Sequence, residues 1–354
     1  MPVDQVLRSD IEEVAERLGD AVQGFAGKTV LLTGACGFLG RSFTELFSLL
    51  NATVLEKPVT LIGLDNRISI PGDDGWLVDR PHLHFIKHDA IEPLAWEKPL
   101  DFVIHAAGIP SPFYYRAYPL ETLHVSITGT QNMLELATRH RARFVFFSSS
   151  EIYGDPDPQH IPTPESYRGN IACQGPRACY DESKRVGETL CYIFHEMHGT
   201  ATNSIRPFNV YGPGMPENDY RVLPNFASCI KGGRPLKVYG SGRQTRTYCY
   251  VTDALVGFLL VVLRGVPGEP YNIGADHPEI SVIELADRIE KVLGRELPRD
   301  IIEYPDSYPA DEPQRRCPDI RKARLQLGYE PRVELDDGLR RFLGWSERAY
   351  AGRQ

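Results

Sequence analysis

Tyr180 and Lys184 stand four residues apart in "CYDESKRVGETL" (179–190), a spacing that puts both side chains on one face of a helix. A lysine ammonium beside a phenol favours the phenolate, so the expected chemistry is a base acting on an alcohol, with the tyrosine pKa drawn toward working pH. Upstream, "SSSEIYGD" (148–155) closes the apolar run "RFVFF" and supplies the hydroxyls of Ser148, Ser149 and Ser150 and the carboxylate of Glu151. In an α/β chain, a strand tip that turns polar is where chemistry is placed. A Tyr-x-x-x-Lys pair alone says little in a chain with 17 tyrosines. The serines at a strand tip make it specific.

Oxidising an alcohol needs a hydride acceptor, and the chain offers a place for one. "KTVLLTGACGFLG" reads as a strand from Lys28 to Thr33, then Gly34, Gly37 and Gly40, with helical spacing from Phe38 and Leu39. Glycines there let the backbone turn tightly and approach a pyrophosphate held at a helix N-terminus. "VTLIGLDN" (59–66) is a second strand ending in Asp65 and Asn66. An acid at that tip accepts hydrogen bonds from the adenosine ribose and repels a 2′-phosphate, which favours NAD over NADP, while Arg67 weighs the other way. Two further strands, "HFIKHDAI" (84–91) and "DFVIHAAG" (101–108), bring Asp89, Ala90, Ala106, Ala107 and Gly108 against the adenine and the cofactor's backbone. The plainer alternative is a doubly wound domain that binds no dinucleotide.

These groups need a large α/β body. The 354 residues, 42% hydrophobic, suffice for one big domain or one with a smaller lobe attached. A net charge of −8 and no basic patch argue against a nucleic-acid partner. Seven scattered cysteines without a Cys-x-x-Cys read as reduced thiols of a cytoplasmic protein, with neither disulfide frame nor zinc site. His82, His84 and His88 in "HLHFIKH" raise a metal cluster, but their alternation reads more simply as a strand, and no metal is expected. The longest apolar run, "VGFLLVVL" (256–263), has the length of a buried helix, so no membrane span is expected. The first 27 residues form an amphipathic extension. Leu7, Ile11, Val14, Leu18 and Val22 recur at helical spacing, and "SDIE" (9–12) reads as a capping box.

Taken together, "TGACGFLG", "HAAGIPSP", "ITGTQNMLELA", "RPFNVYGPG" and "YGSGRQTRTYCYVTD" resemble the extended short-chain dehydrogenase/reductase family over nearly all of the chain from Lys28. The resemblance implies a doubly wound, parallel-sheet Rossmann domain (28–210) interleaved with a smaller C-terminal α/β substrate lobe (mainly 211–354). It also implies NAD, and a Ser/Thr, Tyr and Lys that remove a proton while NAD⁺ takes the hydride. "GPRACYDESKRVGET" (175–189), "EIYGDP" and "DEPQRRCPDIRKARLQLGYEP" look most like the UDP-glucuronate decarboxylase branch. In the superfamily, 4,6-dehydratases carry Asp-Glu where this chain has Ser150-Glu151, and 4-epimerases carry a small or hydroxyl residue at the Glu151 position.

The branch resemblance implies further roles. Arg316 of "RRCPDI" would hold a substrate carboxylate, with Arg315 as competitor and a solvated basic face as the plainer reading. Glu151 would hold a water for protonation at C5. Asn209, Arg221, Tyr239, Gln244 and Arg246 would contact UDP, with Ser111 and Pro112 beside the sugar. A homodimer is implied through helices near 119–139 and 178–198. Gly214 stands in "GPGM" where the family commonly has arginine, and the loop "MPENDYRV" also departs. As partner, the branch resemblance implies a UDP-hexuronate. A hexuronate 4-epimerase, a branched-pentose synthase and a non-catalytic NAD-binding sensor stay open as alternatives.

Overall fold

The computed structural model describes residues 3–68, 80–303 and 313–352. Seven parallel strands form its main sheet. Six come early in the chain: β1 (Thr29–Thr33), β2 (Thr60–Asp65), β3 (Leu83–Lys87), β4 (Phe102–His105), β5 (Arg143–Phe147) and β6 (Thr202–Pro207). The seventh, Pro270–Ile273, pairs with β6 and arrives from well beyond residue 210. The spatial order is β3-β2-β1-β4-β5-β6 and then the seventh strand, so the direction of winding reverses between β1 and β4. At such a switch point the loops on either side part and leave a crevice outside the carboxyl ends of the strands.

Strands buried on both faces read as apolar runs, as "TVLLT" and "RFVFF" do. Helices cover the two faces: α1 (Val3–Leu18), α2 (Phe38–Thr53), α3 (Pro112–Ala117), α4 (Pro119–His140), α5 (Ala178–His198), α6 (Val222–Lys231), α7 (Val251–Arg264), α8 (Val282–Leu293), α9 (Arg321–Leu327) and α10 (Leu335–Ala349). The run at 256–263 lies inside α7, whose residues from Val251 to Val262 are all buried. Among the described residues, no helix is long and apolar enough to cross a membrane.

The N-terminal segment is helical as its spacing suggests, and Ile11, Val14 and Leu18 are buried against α2, α7 and α10. The capping box is not there. Ser9 lies inside α1, which starts at Val3, and Glu12 instead pairs with Arg8 at 3.0 Å. Arg17, nearly buried, reaches Asp253 at the start of α7 at 2.7 Å, and the Tyr250 hydroxyl donates to Asp10 at 2.6 Å. The strand expected over 84–91 is only Leu83–Lys87, with His82 before it and the His88 ring bonded to the Glu92 carbonyl at 3.0 Å.

The C-terminal part adds short sheets above the crevice. Thr245–Arg246 is flanked by Ile280–Ser281, antiparallel, and by Arg315–Arg316, parallel, and Leu236–Tyr239 pairs with Arg299–Ile302. In that register Arg316 lies directly beside Arg246.

Candidate active site

At the β1–α2 turn the backbone packs too tightly for side chains. A Cβ on Gly34 would come within 2.8 Å of the Ala106 carbonyl oxygen, and one on Gly40 would collide with Gly34 itself. Gly37 caps α2 with no side-chain hydrogen bond and no acid in the first turn, so the helix's leading amides face the crevice without a side-chain cap. Gly34, Gly37, Phe38, Leu39, Gly40, Ala106 and Gly108 all line that crevice. This is a cradle that fits the pyrophosphate of a dinucleotide.

Asp65, at the tip of β2, accepts from the Cys36 amide at 2.9 Å and the Arg67 amide at 2.7 Å, and burial raises its pKa. Asn66 donates to Asp89 at 2.9 Å. Asp65, Asn66, Asp89, Ala90 and Ala107 lie outside the lining of the main crevice, around its sheet edge. The Ala107 amide donates to Thr33, whose hydroxyl also meets the buried His105 ring at 2.7 Å. Burial holds His105 down to about 3, so the ring is a neutral brace between β1 and β4.

The reactive group forms where β5 ends. Ser149 caps the single turn Ser150–Tyr153 by accepting the Glu151 amide at 3.2 Å, and it hydrogen-bonds Tyr180. Lys184 donates to the Phe147 carbonyl at 2.9 Å, with its ammonium 5.0 Å from the Phe146 ring centre. Gly187, one turn further along α5, sets this spacing, because any Cβ there would run into the Phe146 ring. Tyr115 of α3 stacks on Tyr180 at 5.6 Å.

The expected lowering of the tyrosine pKa is not what the protein alone produces. Burial pushes Tyr180 up to about 12, with Ser149 opposing and the Glu151 charge adding to the rise. Burial likewise brings Lys184 down to about 7. Both charged forms are penalised in the same buried pocket, and desolvation is the largest cause of each shift. Gly108 lies beside Lys184, its Cβ position 3.1 Å from the ammonium, so the glycine cradle and Lys184 share one wall.

Glu151, its side chain 19% exposed, is held among arginines. Arg316 meets it fork to fork, Nη1 to Oε1 at 2.7 Å and Nη2 to Oε2 at 2.6 Å, and Arg177 donates to Oε2 as well. Burial would raise its carboxyl, but the charges of Arg177, Arg316 and Arg246 and the hydrogen bond from Arg316 together hold it down to about 2. Both carboxylate oxygens are thus already engaged, which the reading of Glu151 as a holder of water did not foresee. Asp181, four residues from Arg177, joins the cluster at 3.5 Å and has one buried oxygen without a partner. Burial, reinforced by the Glu151 charge, pushes it up to about 7.

Arg177 and Asp181 were missed in the sequence although "GPRACYDES" contains both. Their helical spacing with Tyr180 is visible there, but the partner that gives them meaning is 26 residues from Arg177. Arg315 points elsewhere and forks onto Glu279 at 2.8 and 2.7 Å. Of the two candidate arginines, only Arg316 faces the crevice.

Ser111 and Pro112, after β4, and Asn209, Arg221, Tyr239, Gln244 and Arg246, from later in the chain, line the same crevice. Arg221 pairs with Asp219, the Ser111 hydroxyl donates to the Asp219 carbonyl at 2.5 Å, and Arg246 donates to the Pro313 carbonyl at 2.7 Å. Gly214 sits at a φ of +97°, a conformation arginine rarely adopts.

Residues 30–274 match the NAD dependent epimerase/dehydratase family. The chain belongs to that family. It is an extended short-chain dehydrogenase/reductase, and its doubly wound sheet and NAD cofactor accord with membership. A UDP-glucuronic acid decarboxylase 1 of Xenopus tropicalis is 39% identical over 312 residues, 88% of this chain and 70% of that protein. UDP-glucuronic acid decarboxylase 5 of Arabidopsis thaliana is 38% identical over 88% of this chain and 86% of its own. Among solved structures, the dTDP-glucose 4,6-dehydratase DesIV of Streptomyces venezuelae, with NAD bound, superposes with a TM-score of 0.79 at 27% identity, covering 92% of this chain and 98% of that one. This family member is an NAD-dependent enzyme that modifies nucleotide sugars.

Proposed function

We propose that the enzyme decarboxylates UDP-glucuronate to UDP-xylose, with the same NAD recycled at each turnover. The observation that carries the reading is the buried fork of Arg316, which faces the same crevice as Tyr180 and already grips a carboxylate, that of Glu151. A guanidinium that binds a carboxylate at two points is what a uronic acid requires, and a neutral hexose offers nothing to match it. The two decarboxylases at 38–39% identity support the same reading.

In this mechanism Tyr180 takes the proton of the C4 hydroxyl, with Ser149 holding the phenol in place and Ser150 completing the serine turn. NAD, when bound, accepts the C4 hydride and later returns it. The resulting 3-oxo acid loses CO₂ readily, because the electrons of the C5–C6 bond pass into the new carbonyl. Tyr180 stabilises the enolate by hydrogen bonding to O4. Lys184 supplies positive charge near the phenol. Arg316 turns from Glu151 to the substrate carboxylate and sets it out of the ring plane, while Arg177 keeps Glu151 ionised. Glu151, too weakly basic to act as a proton donor at neutral pH, orients the water that protonates C5. Arg221, Tyr239, Gln244, Arg246 and Asn209 take the UDP, with Ser111 and Pro112 beside the sugar. Asp65, Asn66, Asp89, Ala90, Ala106, Ala107 and Gly108 take the adenosine end and backbone of NAD.

We further propose a homodimer, supported by apolar side chains left exposed on the paired helices: Leu120 on α4, and Tyr192, Ile193 and Met197 on α5.

The deciding experiment incubates the purified enzyme with NAD⁺ and UDP-glucuronate and follows CO₂ and the sugar nucleotide by mass. Loss of CO₂ with no net NADH is the expected result. Unchanged mass with a new epimer would overturn the proposal in favour of 4-epimerisation.

A further inference from the structure

Three contacts join the start of α3 to the loop before α6. Ser111 donates to the Asp219 carbonyl at 2.5 Å, Asn218 donates to the Tyr114 hydroxyl at 2.7 Å, and Phe113 packs on Tyr220 with ring centres 4.6 Å apart. One side of this seam is the start of α3, which follows β4. The other is the loop before α6, from the C-terminal part of the chain. Two features of the last pair stand out. Phe113 and Tyr220 are 46% and 48% exposed, so two large rings are held against each other in solvent. Tyr220 also sits at a φ of +66°, in the left-handed region that bulky side chains avoid. Strain of this kind persists where the surroundings impose it, and it clusters at clamps and switches.

The seam is tied to the reacting groups from both sides. Two residues after Phe113, Tyr115 stacks on Tyr180. Next to Tyr220, Arg221 lies close enough to Tyr180 for their charges to interact. Ser111, Tyr114, Asn218, Asp219 and Tyr220 of this seam line the same crevice as Tyr180.

We propose that Phe113 and Tyr220 form an aromatic clasp that retains the 4-keto pentose nucleotide until it is reduced, and so determines which product the enzyme releases. This rests on the decarboxylase reading. After CO₂ is lost the ketone has two fates. Hydride return at C4 gives the pentose and restores NAD⁺. Escape carries off a ketone and leaves the cofactor reduced, one two-electron equivalent per molecule released. Retention favours the first fate by slowing the second, with no effect on the chemical steps themselves.

The test compares wild type with Tyr220→Gly, Phe113→Ala and Tyr220→Phe. Glycine adopts the backbone angle at 220 without strain, so loss of folding is not the expected outcome there, and phenylalanine keeps the ring. With UDP-glucuronate and excess NAD⁺ to replace cofactor left reduced, Tyr220→Gly and Phe113→Ala release CO₂ at the wild-type initial rate, but the share of product found as 4-keto pentose nucleotide rises by about fivefold. Absorbance of reduced cofactor rises in step. Tyr220→Phe behaves as wild type. Separately, UDP-xylose dissociates about fivefold faster from the two opened variants on a sensor surface carrying the NAD-loaded protein. Product shares and dissociation rates that match wild type in both opened variants would overturn the clasp. If wild type releases no CO₂, the decarboxylase reading fails, and the dissociation rate of UDP-glucuronate from the same variants decides whether the clasp exists.

Discussion

Tyr180 and Lys184 sit in the same dry pocket with opposite shifts, one pushed up to about 12 and the other down to about 7. A phenol this reluctant to ionise works only when substrate and cofactor complete its surroundings, so the protein's own contribution is position more than acidity. Removing the hydroxyl then removes the proton relay and little else. Tyr180→Phe is expected to lower kcat by about 10²–10⁴-fold, while NAD still co-purifies with the protein, as absorbance and mass of the released nucleotide would check. Asp181 offers a test of the charge cluster. It faces Glu151, Arg177 and Arg316, and its folded-state pKa of about 7 lies above the ordinary 3.8. The folded protein therefore keeps a proton that the unfolded chain sheds, and the stability this provides is lost as pH rises from 3.8 to about 7. Asp181→Asn has no such proton to lose. Its stability relative to wild type, from urea denaturation, should improve steadily across that window; a difference independent of pH would contradict the raised pKa.

The helices carry information that residue types alone do not. α1 is fastened to α7 by Arg17 and Asp253, whose side chains are 7% and 1% exposed. Breaking a buried pair from one side leaves the other charge stranded. Arg17→Ala should cost about 3 kcal/mol in urea denaturation, near the low end for such pairs because Asp253 keeps the Arg332 and Val333 amides. The sheet and its cradle were legible in the sequence because their signals are local: apolar runs of strand length, glycines at fixed offsets, an acid closing the next strand. So were Tyr180, Lys184 and the serines. What was not legible depends on distant partners. Nothing near Ser9 says that the chain is already helical at Val3. Nothing near Arg177 says that Glu151 waits for it at the end of β5, and the tyrosine's pKa was misjudged because spacing reveals neighbours but not burial. Arg315 and Arg316 are adjacent in sequence, and only the pairing of their strand with Thr245–Arg246 decides which one faces the crevice.

At the level of the assembled protein, α4 and α5 pack on each other and still leave apolar side chains outside. Ile193 at 37% exposed and Met197 at 73% are more than scattered surface residues need explain, since they lie four residues apart on one face of α5. A second copy of the chain would cover them. Met197→Glu places a charge in that surface and is expected to shift the protein from dimer to monomer in light scattering after size exclusion, with the far-UV circular dichroism unchanged. Wild type that is monomeric at micromolar concentration would remove the basis for the dimer.

Gly187 touches neither sugar nor cofactor, yet it works as a spacer gauge between the two halves of the chemistry. Tyr180 and Lys184 ride on α5; Ser149 and Glu151 ride on the end of β5; the gap between helix and strand is the thickness of one Phe146 ring. A methyl group at 187 has nowhere to go but against that ring, which is itself stacked on His105 at 6.0 Å. Gly187→Ala should therefore lower kcat by about tenfold or more with KM little changed, readable in steady-state kinetics. In a library of all single substitutions scored for activity, position 187 would stand out as being as intolerant as Tyr180, a silent atom count guarding a distance.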